Sequence, residues 1–479
     1  MKPITKIIIS ILYASVFISC NRPQQADHYT TGANGEKVRE IRRKIKHVII
    51  IYEENWSFDG LYGFYPDRRV NNLLRHNYYR QVNRDGTPMD SLPPPLLEKK
   101  EDGKNVMIID YRFTELNKKY PGAVPYSLND YIPADKDTVT GDLVHRFYTE
   151  QRQINDGRMD KFVTWSDNGG LVMSYYDDTL LPEEQLAKQY TLCDNFFHSA
   201  FGGSFLNHIW FIAAATPRWQ SAPVSQRSDT ASDILKIYDR EYTPDGYAVN
   251  TIYSVNQPHP ATVPDSLLLP GLTMPTIGDR LNDAGITWAW YSGGWNEALK
   301  GNNQHGFFQY HHQPFVYFAN YKDGSANKAE HLKDENDFIN ALNTGDLPEV
   351  SIVKPLGINN EHPGYAYLLR GQRHTDSLVR DVMKSRYMDS SVIIITYDEN
   401  GGRWDHVAPP KTDRWGPGSR VPAIIISPFA KKNYVDSTQY ETVSILKLIE
   451  TLYNLHPLGK RDSAANNMLN AFDLYTARK

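Results

Sequence analysis

HVIIIYEEN, residues 47–55, and SVIIITYDENGG, residues 391–402, share one design: a run of β-branched residues that stops abruptly in acid. Runs this apolar, without polar alternation, suit strands covered on both faces, as in a parallel sheet sandwiched by helices. Three further runs extend the pattern: ITWAWY at 286–291, EVSIVKP at 349–355 and VPAIIIS at 421–427. Between them lie helical stretches. PTIGDRLNDAG precedes the first, with Gly285 closing the helix, HTDSLVRDVMKS precedes SVIIITY, and ETVSILKLIETLYNL follows the last run. The spacing predicts a mixed α/β domain from residue 45 to 479 built on a mostly parallel central sheet. Residues 82–135, which include SLPPPLLEKKEDGK, and residues 220–270 read as excursions from that sheet.

The chain has 479 residues, with 52 basic and 56 acidic side chains and a net charge of −4. No single-sign field argues for nucleic acid binding. At the N-terminus, Lys2 and Lys6 precede an apolar stretch from Ile7 to Ile18, which is short for a membrane span, and Cys20 follows at the point where a leader is cut. Residues 1–20 therefore read as a lipoprotein-type signal peptide, in preference to plain secretion. Residues 21–44 read as a flexible tether, which places the protein in the cell envelope, periplasmic or held on the outer membrane by its lipid. Cys193, in YTLCDNFF, then has no intramolecular partner and is expected to be a small buried apolar residue.

In open α/β sheets ligands bind beyond the carboxyl ends of the strands. Glu53, Glu54 and Asn55 leave one such end, and Asp398, Glu399 and Asn400 leave another. Either cluster alone is what turn-forming residues produce. Two at equivalent ends shift the reading toward a divalent cation held by hard oxygen ligands. In FHSAFGGSFLNHIWFIAAAT the pair Gly202-Gly203 allows a tight path into Ser204, which stands at the start of an apolar helix. A serine there is a helix cap or, with a cation to stabilise its alkoxide, a nucleophile toward a phosphoryl group. His145, His311, His312, His362 and His406 lie in turn-rich segments where histidine can neutralise phosphate charge or protonate a leaving oxygen.

With these residues assembled, the chain resembles the phosphoesterase family of bacterial phospholipases C and acid phosphatases, within the alkaline phosphatase-like superfamily. The blocks that carry the resemblance run in order from His47 to Leu455: HVIIIYEENWSFDGLYG, INDGRMDKFV, LAKQYTLCDNFFHSAFGGSFLNH, TIGDRLNDAGITWAWY, HHQPFVYF, EHP, YDENGGRWDHVAPP and RVPAIIISPFA. The resemblance implies an alkaline phosphatase-like fold and one divalent metal ion held by Glu54, Asn55, Asp398, Glu399 and Ser204. It selects Glu54 over Glu53 and leaves Asn400 outside the ligand set, where the family often has histidine. It implies Ser204 as nucleophile through a phosphoserine, and His145, His311 and His362 around the phosphate, with His362 or His311 protonating the leaving oxygen. His312 competes with His311 for that position. Asn207, His208 and His406 lie in matching blocks without an assigned role. Gly203-Ser204 looks closer to the phosphatase version of the nucleophile block, so a phosphomonoester is the expected substrate. The alternatives are a phospholipase C acting on phospholipid diesters and a catalytically silent envelope lipoprotein, for which 31 Tyr and 9 Trp offer stacking surfaces.

Overall fold

A computed structural model describes residues 27–30 and 34–475, apart from 76, 102–103, 178–180, 230–235 and 304–305. Its centre is an eight-stranded sheet. The strands are β1 (His47–Glu53), β2 (Thr191–Cys193), β3 (Trp288–Ser292), β4 (Leu332–Asp334), β5 (Val350–Lys354), β6 (Ser391–Tyr397), β7 (Ala423–Ile426) and β8 (Tyr434–Asp436). Across the sheet they run β8-β2-β7-β6-β1-β5-β3-β4. The helices that matter for the site are α1 (Gly35–Lys44), α2 (Pro182–Gln189), α3 (Ser204–Ala213), α4 (Ile277–Asp283), α5 (Leu368–Lys384) and α6 (Thr442–Tyr453).

Only β7 runs against its neighbours β6 and β2; the other pairings are parallel. The reversal follows from the connection. Residues 398–422 cross no helix and return to the sheet at the end they left, so the next strand must run the other way. VPAIIIS thus lies beside SVIIITY but antiparallel to it. Val48 to Ile51 on β1 and Val392 to Ile394 on β6 have no exposed surface, as their unbroken apolar runs require. The helix before β3 is pinned at its start by a capping box of Thr276 and Asp279, and Gly285 follows its end at φ 65°.

Within residues 82–135, Leu96–Glu101 pairs antiparallel with Lys104–Ile109 in a two-stranded sheet apart from the central one. The described part of 220–270 adds no strand to the sheet, but Asn250 Oδ1 accepts from Phe147 N at 3.1 Å, which ties it to the segment bearing His145. Cys193 is buried on β2, as expected. The leader and Cys20 lie outside the described residues. The tether expected over 21–44 is corrected from Gly35 onward, where α1 packs on α6 through Val38 and Ile41, with Arg42 Nε donating to Thr451 O at 2.8 Å. Val38, Ile41 and Ile45 keep helical spacing within a charged run, enough for one narrow buried stripe. Among the described residues no helix is long and apolar enough to cross a membrane.

Candidate active site

β1 and β6 pair in parallel register from His47↔Ser391 to Glu53↔Tyr397, so their acidic ends leave the sheet together. Asp398 N donates to Glu53 O at 3.1 Å, and Asn55 N to Asp398 Oδ1 at 3.3 Å. Asn55 holds φ 64°, a left-handed turn that asparagine tolerates better than most side chains. That turn directs its amide at Ser204. Gly401, at φ 60°, lies against the same peptide: a Cβ there would stand 2.4 Å from Asn55 O, so the first glycine of DENGG lets the two acid-bearing loops touch.

Ser204 opens α3, and its Oγ is the meeting point of the predicted ligands: Glu54 Oε2 at 3.2 Å, Asn55 Oδ1 at 3.4 Å and Glu399 Oε1 at 3.5 Å. The glycines before it are required by the strand of chain that carries His145, since a Cβ on Gly203 would lie 3.0 Å from His145 O. Asn207 staples that loop, with Nδ2 donating to Ala200 O, Gly202 O and Gly203 O at 3.0–3.3 Å. Asp398 completes the set through its contacts with Asn55 N and, at 2.8 Å, Glu399 N.

The histidines divide into two groups. His145 and His362 each spend Nδ1 on a backbone carbonyl, Leu143 O and Pro363 O, so each presents Nε2 inward. His145 Nε2 lies 3.6 Å from Glu399 Oε1, and its ring borders a cavity of about 320 Å3 lined also by Asp142, Arg146, Asp167, Tyr238 and Thr251. His362 Nε2 accepts from Asn55 Nδ2 at 2.9 Å, which turns Asn55 Oδ1 toward Ser204. On the other side of Glu54, His312 Nε2 is 2.9 Å from Oε1, while His311 approaches through the His208 ring at 5.8 Å between centroids. Both members of the His311-His312 pair are therefore near the centre, and the one in contact with a carboxylate is His312. Asn400 turns away, donating from Nδ2 to Arg403 O at 2.8 Å.

Three residue sets here had no role assigned from the sequence. Lys354, the last residue of β5, is fully buried and its ammonium pairs with Glu54 Oε1. A lysine ending an apolar strand is the one anomaly that could have marked it, because lysine is almost never buried unpaired. His208 donates from Nδ1 to Ser204 O at 2.8 Å. Buried Arg420 bridges Asp59 at 3.0 Å and Asp405 at 2.9 Å, and His406 Nδ1 meets Asp59 at 2.7 Å, which locks the loop after β1 to the loop after β6.

Electrostatically the centre holds more acids than the Lys354 ammonium can balance. Burial and the neighbouring Glu54 push Asp398 up to about 8, and burial with Asp398 pushes Glu399 well above the carboxylate range. Burial acts on Glu54 in the same sense, but His312 and Lys354 outweigh it and hold the group low. Burial and then Glu54's opposing pull leave His312 lowered to about 4, and burial with His312 lowers His311 further still. Asp398 Oδ2 makes no hydrogen bond although it is buried. Three carboxylates, an amide oxygen and a hydroxyl, with a buried oxygen left over, form a donor set that fits a hard divalent cation.

The profile of the Phosphoesterase family matches residues 45–456, nearly the whole described chain. The chain belongs to the phosphoesterase family. Phospholipase C B of Mycobacterium tuberculosis is 23% identical over 477 residues, covering 90% of this chain and 78% of that protein. Non-hemolytic phospholipase C of Pseudomonas aeruginosa is 23% identical over 460 residues, covering 86% of this chain and 54% of the relative. Among solved structures, a protein of the alkaline phosphatase superfamily from Vibrio parahaemolyticus aligns over 70% of this chain and 72% of its own at 11% identity and a TM-score of 0.30. This member of the phosphoesterase family is a phosphoric ester hydrolase with a mixed α/β fold on a mostly parallel sheet.

Proposed function

We propose that the chain hydrolyses phosphomonoesters through a phosphoserine on Ser204, with one divalent cation held by Glu54, Asn55, Asp398, Glu399 and Ser204. The observation that carries this reading is the convergence of three ligand oxygens on Ser204 Oγ within 3.5 Å. When bound, the cation supplies charge that favours the serine alkoxide and the transferring phosphoryl oxygens. Ser204 Oγ attacks phosphorus in line, its proton passing toward Glu54 Oε2, and the P–O bond to the leaving group breaks. The peptide N–H groups at the start of α3 face the phosphoryl oxygens.

His145 is the best-placed donor to the leaving oxygen. Its Nε2 stands at the cavity, whereas His362 is engaged with Asn55 and His311 is held neutral by burial and His312. Having lost its proton, His145 takes one from water as that water attacks the phosphoserine, which restores Ser204 and releases phosphate. His362 acts here on Asn55, and His311 packs beside His208 and His312.

The polar cavity beside His145 suits a small hydrophilic leaving group and supports the monoester reading. The second reading, a phospholipase C acting on lipid diesters, is favoured by the names of the relatives. Assays on p-nitrophenyl phosphate, its bis-ester and phosphatidylcholine, with Ser204→Ala as control, separate the two: the monoester should turn over fastest. Preference for phosphatidylcholine would install the second reading, and absence of all turnover in metal-replete protein would leave only the silent lipoprotein. We further propose export with a lipid on Cys20. Palmitate labelling of the wild type but not of Cys20→Ser is the expected result, and equal labelling of both would refute it.

A further inference from the structure

The side of Glu54 facing away from Ser204 is built like a second metal position. Glu54, His208 and His312 each bring a ligand atom within 4.8 Å of the others, and all three are buried. His208 Nε2 makes no hydrogen bond, and His312 Nε2 stands 2.9 Å from Glu54 Oε1. The two imidazoles stack at 5.3 Å between centroids and 7° between planes, so their edges address the same space. One carboxylate and two imidazoles make a donor set suited to zinc. His208 spends Nδ1 on Ser204 O, which leaves Nε2 as its ligand atom.

That space already has a cation. The Lys354 ammonium rests on Glu54 Oε1, donates to Glu53 O at 3.2 Å and lies 5.0 Å from the Tyr52 ring centroid. It approaches from β5, the strand next to β1. An ammonium and a divalent ion cannot both use one carboxylate oxygen in so dry a place, because like charges at contact repel strongly where water does not screen them. We propose that Lys354 occupies the second cation position of this centre, fixing Glu54 Oε2 toward Ser204 and restricting the enzyme to one metal ion. The proposal rests on the reading above, in which one cation binds on the Ser204 side.

The test is a count of zinc per chain by elemental analysis of purified protein equilibrated with excess zinc and desalted. The wild type should hold one ion and Lys354→Met two, with Lys354→Met/His312→Gln returning to one, which would place the added ion beside His312. Lys354→Gln should also hold two, and it carries the test if the methionine variant does not fold by circular dichroism. Two ions in the wild type, or one in both folded single variants, would overturn the proposal. No ion in the wild type would overturn the Ser204-side cation, and this proposal with it.

Discussion

Glu53 and Glu54 are consecutive residues at the end of one strand, both fully buried, and they lead to opposite outcomes. Strand alternation sends them to different sides. Glu54 meets Ser204, His312 and Lys354 and stays ionised. Glu53 enters a closed pocket with Glu183 and Glu361, where Thr375 Oγ1 donates to it at 2.7 Å and Tyr397 OH lies 2.7 Å from Glu361 and 3.0 Å from Glu183. There burial, followed by mutual repulsion, pushes Glu53 and Glu361 well up, and burial lifts Glu183 to about 7. The cluster around Glu53 relieves its charge by keeping protons, whereas Glu54 is relieved by pairing with cations. A count of carboxylates therefore does not identify a metal site; the amide, hydroxyl and ammonium beside them do.

The comparison is broken most easily by exchanging the roles of the pair. Glu54→Gln should weaken divalent metal binding by more than ~100-fold, measured by isothermal titration, since it removes a ligand whose loss exceeds that of an outer-shell partner. Retained affinity would mean that the Ser204 convergence is not the metal position. On the same side, His145→Ala should lower kcat by ~10²-fold on alkyl phosphates and less on p-nitrophenyl phosphate, whose leaving group needs little protonation. Equal losses on both substrates would remove His145 from the acid role.

Protons sharpen the contrast further. Asp398 and Glu399 have folded pKa values raised above the unfolded carboxylate range, so the folded chelated protein holds protons that the unfolded chain has lost. Stability then falls as pH rises from about 4 toward 8, and a bound divalent ion, taking the place of those protons, should flatten that fall. Melting curves of chelated and metal-loaded protein from pH 5 to 8 should diverge with increasing pH; parallel curves would show that these acids do not face the metal. The smallest effect is expected from Glu53→Gln, which replaces a protonated acid by its isostere: metal affinity unchanged and stability altered by no more than about 1 kcal/mol.

Much of this was legible in the sequence because it is local. The long strands announced themselves as unbroken apolar runs, and the acid ends at 53–55 and 398–400 and Ser204 at the start of α3 could be read beside them, whereas the choice of Glu54 over Glu53 and the omission of Asn400 came from the family resemblance. The short strands β2, β4 and β8 carry too few residues for a period, and the reversal of β7 depends on a loop that returns without a helix. Lys354 and His208 escaped for a different reason. Each matters only through a neighbour distant in sequence, Lys354 because β5 adjoins β1 and His208 because it stands one helical turn beyond Ser204, facing Glu54. The charged helix α1 was read as tether because its buried stripe is only three residues wide.

The central claim is that Ser204 becomes phosphorylated, and acid-quenched turnover followed by peptide mass spectrometry addresses it directly. With p-nitrophenyl phosphate in excess, the peptide containing Ser204 should carry one phosphoryl group, and Ser204→Ala should lose both that label and at least ~10³-fold of the activity. Turnover by Ser204→Ala at the wild-type rate, or a phosphoryl group found on a histidine instead, would contradict the account.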